Sequence, residues 1–190
     1  ATLIAHGPGN SGQPLIPQRV SPFFNTQTAW SADHSALLVA LVTGADPPTP
    51  QWALLTFSPT VALRALPDLG DFAALAPAGD RVAYIQYAGP TGGNSTLLDG
   101  LDRLAVLDIA SGRALTLSTT NDLGLPPGIA RFEMPRWSPD GQTLAWSAYG
   151  PQGTQSYVLT VPAGGGLVRV WPGTQSGRLL PGNFSPDGRY

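Results

Sequence analysis

The stretch Met134 to Ser147, M-P-R-W-S-P-D-G-Q-T-L-A-W-S, constrains the fold more than any other part of the chain. Pro135 and Trp137 suit a short extended segment that ends in a large apolar side chain. Ser138-Pro139-Asp140-Gly141 supplies a reversal after it: proline presets φ, serine and aspartate bond nearby backbone amides, and glycine takes the positive φ that closes a tight turn. Thr143-Leu144-Ala145-Trp146-Ser147 then reads as a β-strand that is apolar on both sides, as a strand packed between neighbouring sheets must be. Weaker copies of this strand, turn and strand lie at Trp30-Ser31-Ala32-Asp33-His34, Leu75-Ala76-Pro77-Ala78-Gly79 and Phe184-Ser185-Pro186-Asp187-Gly188.

Counted from the residue before each turn, the copies are 45, 62 and 47 residues apart. Two of these intervals fall in the roughly 40–50 residues that one four-stranded unit of a radial repeat occupies, and the middle one requires an insertion. W-S-P-D-G at residues 137 to 141 and F-S-P-D-G-R at 184 to 189 resemble the TolB-like (WD-like) β-propeller repeat. The copy at Trp30 matches fairly, whereas at Leu75 the aspartate falls at Asp80, after the glycine. The resemblance implies an all-β chain of four-stranded antiparallel blades around a central channel. In that bacterial family it also implies an exported location, periplasmic or extracellular, and protein partners.

Composition narrows the function classes. Charged residues make up 12% of the chain, about half the usual share, against 42% hydrophobic, so the chain is expected to fold around a core. Its 23 glycines and 20 prolines punctuate β-prone runs and read as turns. A net charge of −2 offers no electrostatic footprint for nucleic acid or an anionic membrane. No run has the length of a membrane span, so direct membrane insertion is not expected. The absence of cysteine excludes disulfides and thiolate chemistry. All ten basic residues are arginine, which excludes Schiff-base lysines and a Gly-Lys-Ser/Thr phosphate loop.

Taken in order, the chain divides into a partial blade at 1–26, blades at 27–70, 71–130 and 131–177, and the start of another at 178–190. About three blades are complete, with partial blades at both ends, in one propeller domain or a fragment of one. The expected strands are Gln27 to Trp30, Ala36 to Val42, Gln51 to Phe57 and Val61 to Leu66 in the first complete blade. The second has Phe72 to Ala76, Arg81 to Tyr87, Arg103 to Ile109 and Ala114 to Ser118. The third has Arg131 to Trp137, Thr143 to Ala148, Gln155 to Val161 and Leu167 to Trp171. With strands running up and down, the S-P-D-G turns and the turns at Ala110 to Arg113 and Pro162 to Gly166 share one face. The longer connections at 43–50, 88–102, 119–128, 149–154 and 172–177 share the other, where loops on a rigid scaffold usually bind.

Asn94, Asp99, Asp102, Asn121 and Asp122 are the polar residues of the two longest loops and candidate binding groups. Their oxygens suit calcium in kind, but the spacing matches no calcium loop. Arg131, Glu133 and Arg136 lie on the inner strand of the third blade and are candidates to face the channel; Glu133 is the only glutamate. Asp140 and Asp187 occupy the same place in a repeated turn, so capping explains them better than a glycosidase carboxylate pair. Trp30, Trp137 and Trp146 are expected to wedge between blades and Trp52 and Trp171 to offer partly exposed stacking surfaces, with core packing the default for all five. His6 and His34 lack a third ligand at zinc spacing. No G-x-S-x-G elbow occurs.

No catalytic residues, metal or cofactor are expected within these residues. The reading is a non-enzymatic module that binds a protein or peptide through its long-loop face, as the TolB resemblance implies. The alternative is the gating propeller of a serine peptidase resembling the prolyl-oligopeptidase family, with its catalytic domain elsewhere. A propeller enzyme acting on glycans is the third class.

Overall fold

The repeat predicts that each turn joins two adjacent antiparallel strands, and the computed structural model has this arrangement at every described copy. It describes residues 2–4, 14–19, 29–42, 50–57, 60–70, 72–86, 103–119, 123, 131–149, 156–173 and 184–185. A short pair, β1 (Thr2–Ile4) and β2 (Pro14–Arg19), comes first. Sheet I follows, from β3 (Ala29–Trp30), β4 (Ala36–Val42), β5 (Pro50–Thr56) and β6 (Ala62–Ala65). Sheet II contains β7 (Phe72–Leu75), β8 (Arg81–Gln86), β9 (Arg103–Asp108) and β10 (Ala114–Thr119). Sheet III contains β11 (Arg131–Trp137), β12 (Thr143–Tyr149), β13 (Ser156–Pro162) and β14 (Arg169–Pro172). Each sheet is ordered as the chain runs, every strand antiparallel to the next.

The register explains why the second strand of each repeat is apolar throughout. Paired residues share a sheet face, and successive residues alternate. In sheet II, Leu75 pairs with Val82 and Ala73 with Tyr84, while Phe72 pairs with Ile85. The Val82–Tyr84 face joins Ala36, Leu38, Ala40, Trp52 and Leu54 of sheet I in one core. The opposite face, carrying Ala83, Ile85, Leu104 and Val106, joins Phe132, Leu144, Trp146, Ala148 and Leu159 of sheet III in a second. Sheet II is therefore packed on both sides, and each fully enclosed Leu, Ile or Val contributes roughly 1.5–3 kcal/mol. A third cluster, Leu37, Val39, Leu41, Ala53 and Leu55, covers the far face of sheet I. The outer strands β6 and β14 are mostly exposed.

The five tryptophans divide differently from the expectation. Trp137 and Trp146 lie between sheets II and III as expected. Trp52 is enclosed, only 1% exposed, because its position on β5 points into the core between sheets I and II. There its indole N–H donates to the Gly70 carbonyl at 2.8 Å. Gly70 can approach so closely because it has no side chain: φ is +65°, and a Cβ would stand 2.3 Å from the Ile85 carbonyl oxygen. Trp30 is 46% exposed, stacked on Phe57 with ring centroids 5.2 Å apart, and so is not the enclosed wedge expected of it. Trp171 is half-exposed, as expected.

Trp146 is fully enclosed, yet its indole nitrogen has no hydrogen-bond partner; its ring meets Phe132 edge-on at 5.9 Å. The contrast with Trp52 yields a prediction. Trp52→Phe removes both packing and a satisfied hydrogen bond, whereas Trp146→Phe removes similar volume together with an orphaned donor. Urea midpoints should show Trp52→Phe as the more destabilising by about 1–2 kcal/mol.

Candidate functional site

The reversals on one face share a backbone built from two bonds. In sheet I the Ser31 amide donates to the Ala36 carbonyl at 2.9 Å and the His34 amide to the Ser31 carbonyl at 3.0 Å. Ser138, Gly141 and Thr143 repeat this in sheet III at 2.9 Å for both bonds. Ala76, Gly79 and Arg81 repeat it in sheet II at 2.8 and 2.9 Å, although Ala76 and Ala78 stand in place of the serine and the aspartate, the aspartate falling later, at Asp80. The residue at the tip takes positive φ each time: His34 at 59°, Gly79 at 75° and Gly141 at 67°. The weak motif at Leu75 thus forms the same turn.

Where the motif is complete, its side chains are used up locally. Ser138 Oγ accepts from the Thr143 amide at 2.9 Å and donates to Asp140 Oδ1 at 2.5 Å. The same Asp140 oxygen accepts from the Gln142 amide at 2.9 Å. Ser31, Asp33, Ser35 and Ala36 reproduce the set, with Asp33 Oδ1 accepting from Ser31 Oγ at 2.6 Å and from the Ser35 amide at 3.0 Å. The Ser31 hydroxyl, then the Ser35 amide and hydroxyl, lower the Asp33 pKa to about 2. Asp140 is lowered first by Ser138 and then by the Gln142 amide, and Asp108 by the Ser111 hydroxyl and amide. Turn capping is thus the observed role of Asp140; Asp187 lies outside the described residues.

Neighbouring turns are also latched to each other. The Ala32 amide donates to the Pro77 carbonyl at 2.7 Å, joining sheets I and II. Arg81 Nη2 donates to the Gly141 carbonyl at 3.0 Å, and its guanidinium lies 5.1 Å from the Trp137 ring centroid. The Trp137 indole N–H donates to the Ala74 carbonyl of sheet II at 2.9 Å. Ile109 and Ala163, from the outer turns, donate to Asp80 and Gln142 at 2.9 and 2.8 Å, so inner and outer turns share one face as expected. The Arg81 latch had no local signal in the sequence, since Ala36 and Thr143 occupy its place in the other two repeats.

The other candidate residues divide in two. Asn94, Asp99, Asp102, Asn121 and Asp122 lie outside the described residues. Arg131, Glu133 and Arg136 are on β11, and the register of that strand brings their positions together. Arg131 pairs with Tyr149, Glu133 with Ser147 and Arg136 with Ala145, with a register shift between Glu133 and Arg136. All three positions therefore share the face of sheet III turned away from sheet II. Simple alternation would have put 133 and 136 on opposite faces; the bulge corrects this, and Pro135, which has no amide to contribute to the ladder, sits within it. Arg136 is half-buried, burial lowers its pKa, and its enclosed Nε has no hydrogen-bond partner. Among the described residues no group of three or more His, Asp or Glu side chains is placed to hold a metal.

Solved structures share this arrangement. TolB from Acinetobacter baumannii superposes with a TM-score of 0.51 at 21% identity, over 78% of this chain and 32% of that one. The β-propeller domain of the Trilobed protease from Pyrococcus furiosus gives 0.54 at 10% identity, over 74% and 40%. The fold is that of a β-propeller. Sheets I to III are four-stranded antiparallel units of the kind that form its blades, with β3, β7 and β11 first in each. Hydrazine synthase from Kuenenia stuttgartiensis gives 0.52 at 18% identity, over 84% and 46%. The chain spans between about a third and a half of these three chains. No family model and no curated protein matches the sequence.

The turn carboxylates give a pH prediction. Because the folded pKa of Asp33 is depressed below its unfolded value, its contribution to stability is complete above pH about 4 and is lost as pH falls toward 2; Asp140 and Asp108 act in the same direction. The urea midpoint should drop across that window in the wild type and drop less in an Asp33→Asn/Asp140→Asn double variant.

Proposed function

We propose that the chain is a non-catalytic binding propeller that holds a protein or peptide segment through the mouth opposite the S-P-D-G turns. One observation above the others supports this reading: the turn face is closed on itself. Asp33, Asp108 and Asp140 are committed to internal hydrogen bonds, and neighbouring turns bond to one another. Recognition then falls to the opposite mouth, where the ends of β4 and β5, β8 and β9, and β12 and β13 are joined by the longer connections. The fold likeness to TolB is consistent with a binding role, and an exported location belongs to the same reading.

A second reading, the gating propeller of a serine peptidase, draws on the likeness to the propeller domain of the Trilobed protease. It requires an α/β segment carrying G-x-S-x-G in the same reading frame.

The test uses fluorescein-labelled unstructured peptides and fluorescence anisotropy, with mass spectrometry of the peptide afterwards. Saturable binding to an intact peptide is expected. Joint substitution of Asn94, Asp99, Asp102, Asn121 and Asp122 by alanine should weaken it about tenfold or more, equivalent to about 1.4 kcal/mol, and Asp33→Asn/Asp140→Asn should leave it unchanged. Absence of binding, equal loss in both variants, or a cleaved peptide would each overturn the proposal.

A further inference from the structure

We propose that the propeller opens locally at one joint, the face of sheet III turned away from sheet II, while the joints on either side of sheet II stay shut. The proposal concerns the scaffold and stands whether or not a peptide binds.

The repeat allows the joints to be compared place by place. Trp30 pairs with Leu37, Leu75 with Val82 and Trp137 with Leu144, so the three sheets align on these pairs. One and three residues further on, the second strand carries Leu38 and Ala40 in sheet I, Ala83 and Ile85 in sheet II, and Ala145 and Ser147 in sheet III. Their partners on the third strand are Leu54 and Trp52, Val106 and Leu104, and Thr160 and Val158. The sets from sheets I and II fill the two cores on either side of sheet II. At the same places sheet III has hydroxyls instead of Ile85 and Val106.

That face is nevertheless enclosed: Ala145, Ser147 and Thr160 are all buried. A branched aliphatic side chain only loses when a joint parts, whereas a hydroxyl regains the water it gave up on enclosure. Parting this joint therefore costs less than parting either of the others.

The hydrogen bonds that fasten the other joints have no counterpart donors here. Sheets I and II are joined by the Ala32 amide on the Pro77 carbonyl at 2.7 Å, and Trp52 bonds the Gly70 carbonyl of the connection into sheet II at 2.8 Å. In sheet III the place of Ala32 is held by Pro139, which has no amide hydrogen, and that of Trp52 by Val158. Sheets II and III are joined by Arg81 on the Gly141 carbonyl at 3.0 Å and by Trp137 on the Ala74 carbonyl at 2.9 Å. Thr143 replaces Arg81 in sheet III with a far shorter side chain, and the next copy in sequence has Phe184 at the wedge place, whose ring carries no N–H. Packing and fastening thus weaken at the same joint.

The chain has no cysteine, so a single introduced thiol reports a single joint. Ala40, Ala83 and Ser147 are each 0% exposed and close to cysteine in size, and Ala40→Cys, Ala83→Cys and Ser147→Cys in the full chain place a thiol in each joint. Iodoacetamide labelling under native conditions, followed by mass spectrometry, gives the rate at which each thiol is uncovered. Ser147→Cys should label about tenfold or more faster than the other two variants, with a weak dependence on low urea, because the opening exposes less surface than global unfolding. Thr160→Val added to Ser147→Cys should slow labelling about threefold or more by exchanging a hydroxyl for a methyl group, and Thr116→Val on an exposed part of β10 should leave it unchanged. Should Ser147→Cys fail to fold, Thr160→Cys reports the same face. Equal rates in all three joints, fastest labelling of Ala40→Cys or Ala83→Cys, or a rate in Ser147→Cys that follows global unfolding would overturn the proposal. So would labelling of Ser147→Cys as fast as in the urea-unfolded chain, since the face would then not be closed at all.

Discussion

Every blade depends on a pair of backbone hydrogen bonds that closes the reversal between its first two strands. The amide after the wedge position bonds a carbonyl five residues on, and the residue at the tip turns back to the carbonyl three before it. These bonds set the register of the inner strand against its neighbour, and the register decides which side chains face which sheet. Sheet II shows that the backbone alone suffices, since Ala76 and Ala78 stand where serine and aspartate cap the other two turns. The side-chain caps add stability to a geometry already available, and they add it in a pH-dependent form. His34 shows the converse: it holds φ at 59° without being glycine, a conformation that costs a side chain of order 1 kcal/mol, and its ring meets Trp30 edge-on.

Once the register is set, the sheets can only stack. The second and third strands of sheet II carry apolar residues on both faces, so two cores form instead of one core and one wet surface. Polar groups taken into these cores must find partners, and the tryptophans show how unevenly this is met. Trp52 and Trp137 bond carbonyls outside their own strands, and each bond ties a sheet to its neighbour or to the connection leading there. Trp146 has packing without such a bond. The stacking is therefore oriented at its turn-side margin by specific hydrogen bonds and filled in its centre by apolar contact.

Much of this was legible because the relevant signals are local. Prolines, glycines and β-prone runs place most strand ends within a residue or two, as with Ala36–Val42 and Arg131–Trp137. What local pattern did not disclose depends on neighbours. Trp52 looks like any large residue near a strand end until the sheet beside it is known, and Trp30 shares a motif with Trp137 but not its surroundings. The bulge in β11 was signalled only by Pro135, and a proline can mark a strand start as readily as a shift in register. Arg136 was named as a candidate from its place on the inner strand, whereas its sharing of a face with 131 and 133 required the observed pairing. The five loop candidates lie outside the described residues.

A repeated fold provides its own control, and this gives departures from the repeat their weight. Where three copies solve one packing problem, agreement among them reports the needs of folding. Ala29 and Ala74 agree; Arg136 does not, and the strand that carries it is also the one whose register shifts. Arg81 breaks the repeat as well, but its departure is accounted for within the chain by the Gly141 carbonyl and the Trp137 ring. The two arginines thus separate by the same criterion. One has its acceptor inside the protein and acts as a latch between blades; the other stands at a shift of register, with an enclosed Nε that has no hydrogen-bond partner.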